Sequence, residues 1–324
     1  MTAGEAPGGT AARSPAGRAG GSAPSRPRTY YGTAVLKEPV WSPEIALYFF
    51  TGGLAGASAP LALASELAGN RRLARSAWLV ALAGVAVSPA LLIKDLGRPS
   101  RFLNMLRVFK VTSPMSVGTW ILSADGGAIT LATARQLFGR PRRLGLAGAA
   151  GAAALGPALS TYTAVLIADT AVPAWHEAHR HLPFVFAASA AGSAGSAAVL
   201  LTPPAEAGPA RRLALLGSVA ELVASQLLTH RLGEVGRPYR EGEGGRFLKL
   251  GEALTAAGAA LIAARGHERP GATAGAVLSL AGAMAARWGI FRAGFASSSD
   301  PAYVVGPQRE RLEARGGRPS APPR

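Results

Sequence analysis

Eight apolar runs of about 20 residues, separated by short charged or proline- and glycine-bearing breaks, limit what this chain can fold into more than any other feature of it. They fall at about 44–66, 74–93, 114–138, 144–168, 182–202, 212–230, 248–264 and 271–292. A helix rises about 1.5 Å per residue, so about 20 residues cross the roughly 30 Å hydrocarbon core of a bilayer. The expected fold class is therefore all-α: a polytopic membrane protein built as an eight-transmembrane-helix bundle. A soluble helical repeat would need a charged face on every helix, which these runs lack.

Composition agrees. The 324 residues are 49% hydrophobic and 16% charged, with a mean hydropathy of +0.22, whereas soluble domains carry about 25% charged residues. Many runs rest on small residues, as in TGGLAGASAP at 51–60 and AAGSAGSAA at 190–198. In lipid, small residues let helix backbones approach closely, so a tight bundle is expected. The net charge of +16 raises nucleic acid as a partner, but Lys and Arg sit in the breaks and tails, as in membrane proteins, and nucleic acid is set aside. The chain has no cysteine. It can therefore supply no disulfide, no thiolate zinc site and no cysteine ligand to an iron–sulfur cluster, and any cluster must belong to a partner.

Three regions follow. Residues 1–29 are Gly, Ala, Pro, Ser and Arg without apolar period and are expected to form a disordered N-terminal tail. Residues 30–300 form the membrane domain, and 301–324 a basic C-terminal tail. The N-terminal stretch has neither the apolar core of a secretory signal nor a twin-arginine pair, so the first span is expected to direct insertion. An even number of spans puts both tails on one face, here called side A, with the loops around 94–113, 169–181 and 231–247. Side A holds more Lys and Arg in total, while side B concentrates Arg71, Arg72, Arg75, Arg140, Arg142, Arg143, Arg211, Arg212, Arg265 and Arg269 in shorter loops. The two measures oppose each other, and orientation stays open.

Ionisable groups within or at the ends of membrane helices cost about 2.5–3.5 kcal/mol each on insertion scales, which makes each a functional candidate. Glu44, Asp95 and Ser113 fall at side A depth, and Asp169 joins them. Acids with Trp41, Tyr48 and Tyr162 at one membrane face suit a quinone headgroup, which needs hydrogen-bonding and proton-accepting groups inside an apolar slot. The plainer alternatives are that Trp41 and Tyr48 are interfacial belt aromatics and that Asp95 is a helix-end acid paired with Arg98. Glu66, Asp125, Asp169 and Glu221 are candidate proton-relay groups, Asp125 because it sits two to three turns inside its helix. His176, His179 and His181 cluster in WHEAHRHLPF, but the pattern is not that of a zinc helix, and no two histidines face each other at matched depth for haem. No metal site, no haem and no catalytic residue is expected.

The residues also resemble a family in order and spacing. Lys37-Glu38-Pro39-Val40-Trp41 leads into Tyr48-Phe49-Phe50-Thr51-Gly52-Gly53-Leu54-Ala55-Gly56; Asp95-Leu96-Gly97-Arg98-Pro99 and Arg101-Phe102 precede Ser113-Pro114-Met115-Ser116-Val117-Gly118-Thr119-Trp120. Tyr162-Thr163, Pro173-Ala174-Trp175, Leu182-Pro183-Phe184-Val185-Phe186, then Arg292, Gly294, Ser298 and Asp300-Pro301 complete the series. Together these resemble the NrfD-type polysulfide reductase membrane subunits, quinone-reactive anchors of molybdopterin and iron–sulfur oxidoreductases. The resemblance implies an eight-helix multi-pass subunit of the bacterial inner membrane, exchanging electrons between a (mena)quinone pool and a four-cluster ferredoxin-like iron–sulfur subunit, with a molybdopterin (Mo or W) catalytic subunit beyond. It implies no cofactor of the chain's own and quinone contacts from Trp41, Glu44 and Tyr162; the residues themselves add Tyr48, Asp95 and Arg98 as candidates at the slot, and Arg101, Arg107 and Lys110 as candidates for docking an acidic partner. This sequence departs from the family pattern at Glu44, where a histidine or asparagine is usual, and at Ala164, where glycine follows Tyr-Thr. Alternatives of other classes are a passive membrane anchor and a proton-translocating subunit.

Overall fold

The computed structural model describes residues 35–98 and 100–314. The N-terminal tail at 1–29 lies outside them, as do residues 315–324 of the C-terminal tail. Among the described residues, eight long helices carry the fold: α1 (Pro43–Leu67), α2 (Arg71–Asp95), α4 (Pro114–Phe138), α5 (Arg142–Ala168), α7 (Leu182–Leu201), α8 (Gly208–Arg231), α10 (Gly242–Arg265) and α11 (Arg269–Ser299). Short helices punctuate them: α3 (Ser100–Met105), α6 (Pro173–Glu177), α9 (Arg237–Arg240) after a 3-10 turn at Gly233–Gly236, and α12 (Ala302–Ala314). Seven of the long helices are long and apolar enough to cross a membrane. The remaining one, α4, matches them in length but is diluted by Ser123, Asp125, Gly126-Gly127 and Arg135.

The helix boundaries follow from local chemistry. Proline occupies the first turn of α1, α4 and α7, where its fixed φ suits the helix and its absent N–H would have been unpaired anyway. Asn70 caps α2 by accepting from the Leu73 N–H at 3.1 Å, and Ser113 caps α4 by accepting from Ser116. Gly139 ends α4 at φ 74°, in the left-handed region that glycine adopts without strain.

Consecutive long helices pair as hairpins, α1 with α2, α4 with α5, α7 with α8 and α10 with α11. Helices α1 and α7 also pack on each other and on α5 and α11, which makes them the centre of the bundle. The apolar stretches of both are 67% buried, against 33% for the peripheral α10. Glycine sets a close crossing. A Cβ on Gly56 would lie 2.3 Å from the Gly156 carbonyl oxygen and one on Gly156 would lie 2.2 Å from that of Gly56, so α1 and α5 touch backbone to backbone. Several hydroxyls inside the spans turn back on their own helix, as Ser58 does to the Leu54 carbonyl and Ser65 to that of Leu61, both at 2.7 Å. That satisfies a donor that hydrocarbon could not.

Side B is closed by a polar clasp. Arg135 of α4 forms an ion pair with Glu66 of α1, and the Trp78 indole N–H of α2 donates to the same carboxylate at 2.6 Å.

Candidate functional site

The side A ends of α1, α2, α4 and α5 converge under α3. Ser42, just ahead of α1, donates both its backbone N–H and its hydroxyl to the Asp95 carboxylate, at 2.8 and 2.7 Å. The end of α2 thus holds the start of α1. Asp95 does not pair with Arg98, whose side chain is exposed; Ser42 supplies the donors instead. Beside this link, Lys94 and Glu44 form an ion pair on the outer face.

Deeper in the same helices, the Tyr48 hydroxyl donates to the Tyr162 hydroxyl at 2.7 Å, leaving the O–H of Tyr162 to point elsewhere. Tyr48 is fully buried. The Tyr162 ring lies over Gly118, where a Cβ would come within 1.8 Å of its Cε2 atom; only a glycine admits the ring there. Asp95, Tyr162 and Trp41 meet on one small cavity of about 40 Å³, whose other walls are side chains of α1, α2, α4 and α5, apolar but for Thr119, whose hydroxyl is donated to the Met115 carbonyl. Phe102 and Met105 of α3 roof it. A volume of that order admits about one water, which occupies about 30 Å³ in the liquid. The cavity lies beneath the six-residue helix α3.

Trp41 is held from the other half of the chain. It stacks on Trp175 of α6, with ring centroids 5.4 Å apart and planes at 21°. Trp175 donates its indole N–H to the Ile290 carbonyl of α11 at 2.8 Å and packs on Gly294, where a Cβ would fall 1.9 Å from the ring. The Ala174 N–H donates to Ser297 at 3.2 Å, and the Tyr239 hydroxyl to the Ala174 carbonyl at 3.0 Å. Burial pushes the Tyr239 phenol well above its ordinary range, which keeps it a donor.

Of the six quinone-contact candidates, the pocket wall includes Trp41, Asp95 and Tyr162. Tyr48 backs the wall through Tyr162, while Glu44 and Arg98 do not line it. The proton-relay candidates are spread over four helices. Glu66 is engaged by Arg135 and Trp78 at side B, and Asp169 is an exposed residue closing α5 at side A. Asp125 is fully buried with both carboxylate oxygens unpartnered, and Glu221, 4% exposed in α8, leaves one oxygen unpartnered. Arg287 of α11, also buried, donates to the Phe186 carbonyl at 2.9 Å and lies 3.7 Å over that ring.

Arg101, Arg107 and Lys110 are exposed along α3 and the loop after it, among the exposed apolar side chains of Leu103, Val108, Phe109 and Val111. This loop is pinned to α4. Ser116 donates to the Val108 carbonyl and accepts from the Lys110 N–H, each at 3.0 Å, and Phe109 meets Trp120 edge-on at 6.2 Å. His176 donates through Nδ1 to the Ala168 carbonyl at 3.1 Å and His179 likewise to that of His176 at 2.9 Å. Among the described residues no three His, Cys, Asp or Glu side chains gather as a metal site.

Sequence reasoning did not find the Ser42–Asp95 link, the Glu44–Lys94 pair or the roof of Phe102 and Met105. Ser42 before Pro43 reads as an ordinary helix cap, and its true partner lies 53 residues away.

The family model for polysulphide reductase, NrfD, matches residues 33–229, more than half of the chain, from ahead of α1 into α8. No curated protein and no solved structure matches it.

Proposed function

The chain belongs to the polysulphide reductase NrfD family, and from that membership we propose that it is the quinone-reactive subunit of an oxidoreductase complex, crossing the bacterial cell membrane eight times. It is a multi-pass membrane protein of a family that serves as the membrane partner of such complexes. The proposal adds electron exchange between menaquinone and a four-cluster iron–sulfur partner, with a molybdopterin subunit beyond it and no redox group held by this chain.

The observation that carries the proposal is the meeting of a tyrosine hydroxyl and a carboxylate on one apolar pocket at the membrane face. With Tyr48 donating to Tyr162, the O–H of Tyr162 is left to hydrogen bond to one quinone oxygen. Asp95, on the pocket wall, accepts a proton from the opposite oxygen of a quinol. Oxidation of the quinol would give up two electrons, one at a time, to iron–sulfur clusters of the partner and two protons, the first taken by Asp95 and the second released to water at side A. Trp41, fixed by Trp175, offers a flat face to the ring. Admission of the ring requires Phe102 and Met105 to lift, and α3 is suited to this because it has no buried residue. The exposed Arg101, Arg107 and Lys110 face the acidic surface of the partner.

The test is oxidation of a menaquinol analogue by the purified complex. Tyr162→Phe should lower turnover with assembly intact, whereas Glu44→Gln, off the pocket, should not. Full activity in Tyr162→Phe would remove the pocket from the mechanism. A passive anchor gains nothing from Asp125, Glu221 and Arg287, costly groups inside the spans. Asp125 and Glu221, unpartnered, favour a second role in moving protons across the membrane. Absence of acidification by proteoliposomes during turnover would eliminate that role.

A further inference from the structure

A cleft of about 550 Å³ opens toward the bilayer between α5 and α8, with α1 and α7 as its floor, beside the Gly56–Gly156 crossing. Its walls are almost wholly apolar. The two hydroxyls in them are already used, Ser160 donating to the Gly156 carbonyl and Thr161 to that of Pro157, both at 2.9 Å. At the side B end stands Arg212, exposed, with no hydrogen bond or ion pair among the described residues. Its neighbour Arg211 is fully engaged, donating to the Pro204 and Gly266 carbonyls at 2.6 and 3.0 Å. The cleft thus ends in one uncommitted guanidinium at the level of the lipid headgroups.

We propose that this cleft seats an acyl chain of an anionic glycerophospholipid whose phosphate is held by Arg212. A guanidinium presents paired N–H donors that match phosphate oxygens. On the same side B, Arg71, Arg72 and Arg75 open α2 and Arg142 and Arg143 open α5, Arg72 being paired with Glu206, so an acidic headgroup is preferred to a zwitterionic one. A partner's membrane helix fits the space poorly. At about 10 Å across and 5.4 Å per turn a helix fills roughly 400 Å³ each turn, and the cleft takes little more than one.

Native mass spectrometry of the full chain in mild detergent, titrated with phosphatidylglycerol, phosphatidylcholine or dioleoylglycerol, tests this. The wild type should retain one phosphatidylglycerol in preference to phosphatidylcholine. Arg212→Gln should weaken phosphatidylglycerol binding about tenfold, as loss of a charge-assisted contact implies, and leave dioleoylglycerol unchanged. Ala57→Leu, which extends a side chain from the floor, should weaken both. Equal phosphatidylglycerol retention in wild type and Arg212→Gln overturns the proposal, as does equal retention of phosphatidylcholine, or a second copy of the chain held in place of lipid. Arg212 is exposed, so its variant folds and the comparison stands on it alone should Ala57→Leu fail to accumulate.

Discussion

Replacing Gly118 by alanine probes the pocket without touching a polar atom. The new methyl group would stand 1.8 Å from Tyr162 Cε2 and 2.3 Å from Cζ, whereas carbons in contact sit about 3.5 Å or more apart. The ring must therefore retreat by about 1.5 Å, and its hydroxyl travels with it. Tyr48 cannot follow, because it is fully buried and packed between Phe49 and the Tyr162 ring itself. A 2.7 Å hydrogen bond displaced on that scale no longer qualifies as one. Overpacking of this kind costs about 1–3 kcal/mol, which a bundle of eight helices tolerates. Misplacing a reacting or binding group by about 1 Å costs up to about a hundredfold in rate. Gly118→Ala should thus lower menaquinol-analogue oxidation by about ten- to a hundredfold while the complex still assembles and its thermal unfolding shifts by only a few degrees. Tyr162→Phe should fall into the same range, and the double variant should be no slower than the slower single one, since both changes remove the same hydroxyl from the same place. Wild-type turnover in Gly118→Ala, with the thermal shift present, would refute the assignment. So would losses that multiply in the double variant.

Substitutions at three further acids, Asp95, Glu66 and Asp125, separate roles that the sequence alone merges. Asp95→Asn keeps an oxygen for both Ser42 donors and should leave stability within about 1 kcal/mol while slowing quinol oxidation; Asp95→Ala, which orphans those donors, should also lower stability, by about 1–3 kcal/mol, and equal stability of the two in a detergent unfolding assay would sink the link. Glu66→Leu strands the Arg135 guanidinium, whose Nε already lacks a partner, and should cost about 3 kcal/mol, most of it recovered on adding Arg135→Met. Failure of the second change to recover stability would show that the clasp is not a pair. Asp125→Asn removes no hydrogen bond, so unfolding should barely move; proteoliposome acidification should fall if Asp125 carries protons, and unchanged acidification during turnover takes it out of any relay.

How far the sequence discloses this molecule depends on the range of the interaction concerned. The long helices are written in apolar runs of about 20 residues, a local signal, and the pairs Ser42-Pro43 and Ser113-Pro114 mark two helix starts within a residue. The short helices α3, α6 and α9 have no periodicity of their own and are held by contacts from elsewhere, which no local pattern encodes. The same limit applies to charge. Glu44 and Arg98 sit near the mouth in sequence, but Lys94 takes the first outward and the second stays exposed. Glu66 reads as a lone acid inside a span until Arg135, 69 residues later, is seen beside it. The family resemblance names Trp41 and Tyr162 by their motifs, but the reason Tyr162 sits where it does is Gly118, legible only once α4 and α5 are side by side.

The last helix pair bears on the site although the family match ends at residue 229, before α10 begins. Trp41 is held flat by Trp175, and Trp175 is held almost entirely by α11, through the Ile290 carbonyl, the hollow at Gly294 and contact with Phe291 at 6.2 Å and Phe295 at the same separation. A side chain at Gly294 would start 1.9 Å from the Trp175 ring and has no flexible neighbour to displace, so it must push that ring toward Trp41. Gly294→Ala should therefore act at a distance of two rings, raising the KM for a menaquinol analogue more than it lowers kcat if Trp41 contributes uniform binding to the ring. Trp41→Leu should show the same pattern, and combining the two should add little. A KM unchanged in Gly294→Ala, with thermal unfolding lowered by the overpacking, would mean that α11 supports the fold of α6 but not the pocket.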